Sequence, residues 1–290
     1  MSSAPVTAAQ GQIAPPTERE LTTIARLLYD SAGIVLAQGK ASMVQARLSK
    51  RMRSLGLGDF ASYLALFEGA GSAEELRYLI SALTTNVTQF FRESHHFETL
   101  RTQALPPLIE RARRGSRVRL WSAGCSNGQE PYTIAMELAA LAPDLDKLDI
   151  RLLATDIDPQ MVERGRDGYY EDAALAAVPA ALRKKYVRDE AGGGRICDTL
   201  RRLVSFRELN LHGDWPMKGR FDVIFCRNVV IYFDAPSQDR LWRRFEAALA
   251  DGGWLFVGHS ERVTANPQSR LTPAGITTYR LPESPSRSLP

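Results

Sequence analysis

Arg227 and Asn228 follow one apolar run, Phe221-Asp222-Val223-Ile224-Phe225-Cys226, and precede another, Val229-Val230-Ile231-Tyr232-Phe233. A guanidinium and a carboxamide at the carboxyl end of a buried parallel strand stand where open α/β sheets bind ligands. A core strand with an incidental loop after it would read the same way, so other segments must decide. The segment Arg117–Glu130 reads Arg-Val-Arg-Leu-Trp-Ser-Ala-Gly-Cys-Ser-Asn-Gly-Gln-Glu. Val118, Leu120 and Trp121 make a short strand, Gly124 and Gly128 punctuate a tight loop, and Pro131 suits the first turn of a helix. Tyr132, Ile134, Ala135, Leu138 and Ala139 then recur at helical spacing. Strand, glycine-bearing loop and helix form a nucleotide-cradling unit, because glycine lets backbone amides approach a ligand closely. Three residues separate Gly124 from Gly128, so the G-x-G-x-x-G fingerprint is absent, which argues against a nicotinamide enzyme.

A further strand, Ile150–Thr155, ends at Asp156-Ile157-Asp158-Pro159. A carboxylate at the end of the second strand can accept both ribose hydroxyls of an adenosine-containing cofactor. An Asp ahead of a proline can instead cap a helix. Asp156 is read as the ribose ligand and Asp158 as the cap.

The segment Thr85-Asn86-Val87-Thr88-Gln89-Phe90-Phe91-Arg92-Glu93-Ser94-His95-His96-Phe97 meets every fixed position of a T-N-x-T-x-F-F-R-[ED]-x-x-H-F signature. With Phe221–Phe233, which matches F-D-[VL]-I-F-C-R-N-V-x-I-Y-F, it makes the chain resemble the CheR-type chemotaxis receptor methyltransferases from about Thr17 to Leu281. The resemblance implies an α/β fold: a Rossmann-like class I S-adenosylmethionine methyltransferase domain, an N-terminal all-helical domain and a small inserted antiparallel β-subdomain. It implies S-adenosylmethionine as cofactor, S-adenosylhomocysteine as product, and glutamate side chains on chemoreceptor cytoplasmic helices as acceptors. Carried over by motif position, Asn86, Thr88 and Arg92 cover the methionine end of the cofactor, and Arg92 can also orient a carboxylate. Glu130 pairs with the methionine ammonium, Asp156 takes the ribose, and Asn210 and Leu211 flank the adenine. Arg227 and Asn228 are the last cofactor contacts. Arg92 and Tyr232 are the candidates at the transfer site, with a core tyrosine as the plainer fate of Tyr232. His95 and His96 are read as structural.

The elements that position these residues divide the chain. Residues 1–16 read as a disordered leader and 17–97 as a helical domain that includes the cofactor-covering motif. Residues 98–282 read as the methyltransferase domain, with an insert at about 186–206, and 283–290 as a flexible tail. Four apolar stripes mark the helices: Leu21-Ile24-Leu27-Leu28, Met43-Ala46-Met52, Phe60-Tyr63-Leu64-Phe67 and Leu76-Leu79-Ile80-Leu83. Between Lys40 and Gly58 stand five basic residues and no acid: Lys40, Arg47, Lys50, Arg51 and Arg53. A solvated helix face is one reading; the other, with Arg47, Lys50, Arg51 and Arg53 as docking residues, is a footprint for an acidic partner. In the insert, strands on either side of Gly192-Gly193-Gly194 form a hairpin that continues to Leu203–Phe206. In some family members this subdomain tethers to a receptor C-terminal peptide. The segment here is shorter than in those members, so no tether is expected. Gln238–Leu249 reads as an amphipathic helix ended by Gly252-Gly253, Trp254–Glu261 as a buried strand, and Thr277–Leu281 as an antiparallel edge.

Composition bounds the partners. Net charge is +4, with three widely spaced cysteines, Cys125, Cys197 and Cys226, which imply neither a disulfide framework nor a metal site. Without a signal-like or membrane-spanning run, a cytoplasmic protein without membrane insertion is expected, acting as a monomer. Basic charge raises nucleic acid as a partner, but the [DN]-P-P-[YF] loop of many base methyltransferases is replaced by Arg227-Asn228-Val229-Val230. No nucleic-acid partner is expected. The rival functions are an RNA methyltransferase on the same fold and a non-catalytic cofactor-sensing adaptor.

Overall fold

The computed structural model describes residues 13–69, 71–263 and 268–283. Residues 1–12 of the expected leader and 284–290 of the expected tail lie outside them. The chain divides into two compact units, Met1–Thr84 and Thr85–Pro290, so the segment 85–97 packs within the second unit.

The first unit is helical. Helix α1 (Glu18–Ala32) opens with a capping box: the Glu20 N–H donates to the Thr17 hydroxyl at 3.3 Å, and Glu20 accepts the Thr17 N–H at 2.7 Å. It stops at Gly33, whose φ of 69° is the left-handed conformation that ends helices. Helix α2 (Ala41–Ser54) buries Val44, Leu48 and Met52. Of the expected Met43-Ala46-Met52 stripe only Met52 is buried, because the i, i+4 row Val44-Leu48-Met52 is the face turned to the core, leaving Ala46 exposed and Met43 half-buried. Helix α3 (Phe60–Ala65) is capped by Asp59, and α4 (Ser72–Leu83) buries Leu79, Ile80 and Leu83. α4 also buries an acid, Glu75, which accepts from Arg51 at 2.6 Å and from the Tyr63 hydroxyl at 2.8 Å.

The second unit is built on a seven-stranded mixed sheet. Helices α5 (Ser94–Thr99) and α6 (Leu105–Arg113) precede β1 (Val118–Ala123); α7 (Gln129–Leu141), β2 (Ile150–Asp156) and α8 (Pro159–Asp167) come after it. A small sheet comes next: β3 (Tyr169–Glu171), helices α9 (Asp172–Leu175) and α10 (Ala180–Tyr186), β4 (Val187–Glu190) and β5 (Gly193–Ile196). Helix α11 (Asp198–Leu203), β6 (Val204–Glu208), β7 (Phe221–Cys226), α12 (Ala235–Ala248), β8 (Leu249–Val257), β9 (Thr272–Gly275) and β10 (Thr278–Arg280) complete the unit. The large sheet runs β6-β2-β1-β7-β8-β10-β9, parallel from β6 to β8 and antiparallel beyond.

Every residue of β7 is buried because both sheet faces are covered. Side chains alternate between them. Val223 and Phe225 enter a core with Phe97, Leu105 and Tyr132, whereas Ile224 and Cys226 join Trp121, Leu241 and Phe245. Helix α7 is buried at every position from Gln129 to Ala139, a wider burial than its apolar stripe implies.

Four expectations change. Val204–Glu208 pairs in parallel with β2 in the large sheet instead of extending the insert. The partner of the β4–β5 hairpin is β3, and Gly193 and Gly194 lie in the central strand of that small sheet. A Cβ on Gly193 would lie 2.1 Å from the Tyr170 carbonyl oxygen, so close strand packing demands glycine there. Helix α12 passes directly into β8, and Gly252 and Gly253 fall within that strand, not at a helix stop. The outermost edge is β9, with β10 one place inside.

Candidate active site

The parallel register places Ala123, Asp156 and Cys226, the last residues of β1, β2 and β7, on one edge of the sheet, and the loops beyond these three strands form the site. Beyond β1 the backbone turns through Gly124 (φ 77°) and Gly128 (φ 94°) into the first turn of α7. A Cβ on Gly124 would lie 2.3 Å from a Val229 methyl, so this glycine admits the loop beyond β7. The Ser126 N–H donates to Asp156 at 2.7 Å, tying the glycine loop to the end of β2.

Asp156 is buried, and its other oxygen accepts the Asp158 N–H at 3.0 Å. Burial pushes its carboxyl up to about 6, against the lowering effect of those backbone donors. Asp158 caps α8, accepting the Gln160 N–H at 2.9 Å, and also receives the Asn86 carboxamide at 2.8 Å. The cap reading of Asp158 therefore matches the geometry. Asn86 also binds the glycine loop, its carbonyl accepting from the Ser126 hydroxyl at 2.8 Å.

Arg227 forms the interior of the site. Its guanidinium donates to Glu130 at 3.0 Å and to the Arg92 carbonyl, and lies 3.3 Å from Glu93. Glu130 stands in the first turn of α7, and its second oxygen accepts from Ser122 at 2.7 Å. Burial pushes the Glu130 carboxyl up, and Arg227 with Ser122 partly offsets that. Both Glu130 oxygens are thus engaged within the protein, and a ligand ammonium would share this carboxylate with Arg227. Arg92 itself is half-buried and donates to the Val87 carbonyl at 3.0 Å.

Glu93, which has no role on sequence grounds, is a junction. It meets Arg227, lies 3.1 Å from His259 Nδ1, and accepts from the Asn228 carboxamide at 3.5 Å. Burial alone would raise its carboxyl, but Arg227, then His259 and His96, hold it at about 2. His96 is fully buried; burial first, then Arg227 and His95, lower its imidazole to about 3. The ring is therefore neutral, with Nε2 held at 2.8 Å by the Thr277 hydroxyl. Glu93, His95 and His96 bring ligand atoms within 4.8 Å of one another. The guanidinium of Arg227 against the same carboxylate opposes a second cation there.

Phe91, Glu93, Ser126 and Asn228 have φ values of 55°, 58°, 49° and 59°, left-handed conformations that non-glycine residues adopt at a cost. Four such residues in the segments that meet here mark a site built for placement of groups. The remaining sequence candidates are placed around it. Thr88 and Tyr232 are half-buried, Tyr232 within a single 3₁₀ turn, Val230–Tyr232. Asn210 accepts the His212 N–H at 2.9 Å, and Leu211 is buried beyond β6. In the first unit, Arg47 donates to the Thr84 carbonyl at 2.7 Å and Arg51 is committed to Glu75, whereas Lys50 and Arg53 are exposed.

The donor set suits a nucleoside-containing cofactor. A carboxylate has about four lone-pair positions, so Asp156 can accept hydroxyls beside its backbone donors. Asn127 Oδ1 and Arg227 Nε are buried without a hydrogen-bond partner, so polar capacity remains at the loop and at the strand end. Among the described residues no helix is long and apolar enough to cross a membrane.

Two family models match the chain: "CheR methyltransferase, all-alpha domain" over residues 19–84 and "CheR methyltransferase, SAM binding domain" over residues 86–279. A probable chemotaxis protein methyltransferase of Rhizobium etli is 49% identical over 258 residues, 88% of this chain and 96% of that one. The chemotaxis protein methyltransferase of Escherichia coli is 43% identical over 267 residues, 89% of each chain. Chemotaxis protein methyltransferase 2 of Pseudomonas aeruginosa is 41% identical over 250 residues, 84% of this chain and 87% of that one.

Proposed function

The chain belongs to the CheR methyltransferase family, and from that membership we propose that it esterifies glutamate side chains on the cytoplasmic helices of chemoreceptors. Its cofactor is S-adenosylmethionine, which supplies an electrophilic methyl group on a sulfonium. A carboxylate oxygen of the acceptor bonds to the methyl carbon as the carbon–sulfur bond breaks, leaving S-adenosylhomocysteine and a methyl ester. The acceptor is ionised at neutral pH, so no general base is required. The protein's own contribution is alignment and exclusion of water.

The observation that carries this reading is the junction at Arg227, where the Arg92 carbonyl, Glu93 and Glu130 meet at the end of β7. It joins the Thr85–Phe97 motif to the sheet edge through buried, charge-assisted bonds. In this reading Asp156 holds the ribose, and Asn86 and Thr88 cover the methionine end. Arg227, buried between two carboxylates, offsets part of the burial penalty on Glu130 beside the ligand ammonium. Arg92 orients the acceptor carboxylate, Tyr232 lines the transfer site, and Asn210 and Leu211 flank the adenine. Lys50 and Arg53, exposed on α2, contribute attraction for an acidic receptor face. The protein acts as a monomer in the cytoplasm and requires no receptor peptide tether.

The test is mass spectrometry of receptor cytoplasmic fragments incubated with the protein and S-adenosylmethionine. Methyl-ester increments on glutamate peptides are expected. Methylated RNA with unmodified receptor would replace this reading by the RNA enzyme.

A further inference from the structure

Glu261, just beyond β8, is 4% exposed. Among the described residues no cationic side chain lies within salt-bridge distance of it, and its partners are backbone amides. Oε1 accepts the N–H groups of Val229 at 2.9 Å, Val230 at 2.7 Å and Ile231 at 3.3 Å. Oε2 accepts those of Asn228 at 3.0 Å and Gly258 at 2.6 Å. Successive N–H groups turned inward form a nest that ordinarily receives a bound anion. Here the anion is the protein's own side chain.

The loop held in this way is the one that carries Asn228 and leads to Tyr232. It enters through the left-handed Asn228 (φ 59°) and continues into the 3₁₀ turn Val230–Tyr232. Its seat is made by two missing side chains. A Cβ on Gly258 would lie 2.7 Å from Asn228 N and 2.9 Å from Glu261 Oε2, and one on Gly124 would strike Val229. Glu261 therefore fastens the loop after β7 to the end of β8, while Gly124 lets it rest on the end of β1. Only a group with acceptors on both oxygens can serve. A glutamine would turn an NH₂ group toward N–H donors whichever way it faced.

We propose that Glu261 is a positioning residue for methyl transfer: as the internal anion of the Asn228–Ile231 nest, it fixes the loop that presents Asn228 to the cofactor. This rests on the role given to Asn228 in the proposed function.

The test compares Glu261→Gln, Gly258→Ala and, as a control, Glu246→Gln. Glu246 also accepts a backbone N–H and a hydroxyl, from Arg270 and Ser269, in a different part of the fold. Three readouts are taken: S-adenosylhomocysteine affinity by calorimetry, amide hydrogen exchange across 228–231, and thermal midpoint. Glu261→Gln is expected to lose protection at those amides and to bind S-adenosylhomocysteine about tenfold more weakly. Gly258→Ala should weaken binding in the same direction while keeping the charge, which covers the case in which Glu261→Gln does not fold. Glu246→Gln should lower the midpoint and leave affinity unchanged. Wild-type affinity in both nest variants overturns the proposal, as does an affinity loss in the control equal to theirs. Failure of the unaltered protein to bind S-adenosylhomocysteine would instead overturn the functional reading beneath it.

Discussion

Arg227 donates to Glu130 across 3.0 Å, and both residues are buried, one at the end of β7 and the other in the first turn of α7. Removing Arg227 leaves the Glu130 carboxylate desolvated with only the neutral Ser122 hydroxyl donating to it. Arg227→Met is expected to lower unfolding free energy by about 3–5 kcal/mol. Adding Glu130→Gln should recover part of the loss, because the two effects act through one interaction. Urea denaturation of the two single variants and the double variant measures this; strictly additive losses would show that the pair is not coupled.

Arg92 is half-buried and bonded to a carbonyl of its own segment, so little of the fold depends on its side chain. Arg92→Ala should keep the unfolding free energy within about 0.5 kcal/mol while methyl transfer falls about 100-fold or more through lost alignment. Denaturation and rate measured on the same preparation decide this. Full activity would remove Arg92 from the transfer site.

Asp156 should make cofactor affinity depend on pH. Its carboxyl is pushed up to about 6, and ribose hydroxyls donate to the ionised form. S-adenosylhomocysteine affinity should therefore rise as pH increases through about 6 and then level off. Asp156→Asn should bind more weakly with a flat profile. Stability runs the other way. A folded pKa above the ordinary 3.8 favours the fold at low pH, a contribution lost as pH rises through about 6. Calorimetry from pH 5 to 8 tests the binding profile, and a flat wild-type profile would contradict the ribose role.

His96 and Glu93 should make the protein acid-sensitive. The His96 imidazole is lowered from 6.5 to about 3, so its stabilising contribution is complete above 6.5 and lost as pH falls toward 3. Each unit of that interval is worth about 1.4 kcal/mol, giving roughly 2 kcal/mol between pH 6.5 and 5. Glu93, lowered from 4.5 to about 2, extends the loss further into acid. Asp156 opposes the loss over part of this range, so the contribution of His96 is read as a difference. His96→Gln, able to keep a bond to Thr277, should flatten the acid limb in urea denaturation. Parallel limbs for the two proteins would contradict it.

The sequence carries the frame of the site more plainly than its interior. Val223-Ile224-Phe225 announces a doubly covered strand because both faces are apolar, and Asp158-Pro159 announces a cap because few backbone settings suit that pair. Val204–Glu208 misleads, since alternation defines a strand without saying which sheet it joins. In α2, Met43 and Val44 are both apolar, and only packing reveals that Val44 faces inward. Glu93 and Glu261 are harder still. Glu93 gains its role from residues far along the chain, and the partners of Glu261 are backbone amides, which leave no mark in residue types.

The central claim is methyl transfer to a carboxylate, and methyl esters are cleaved by mild alkali. The direct measurement incubates receptor-containing membranes with labelled S-adenosylmethionine and the protein, then counts volatile methanol released by base. The account predicts alkali-labile label on the receptor with the unaltered protein and a rate of labelling lower by about 100-fold or more with Arg92→Ala. Label that resists alkali, or no label on cognate receptor from protein that binds the cofactor, would contradict it.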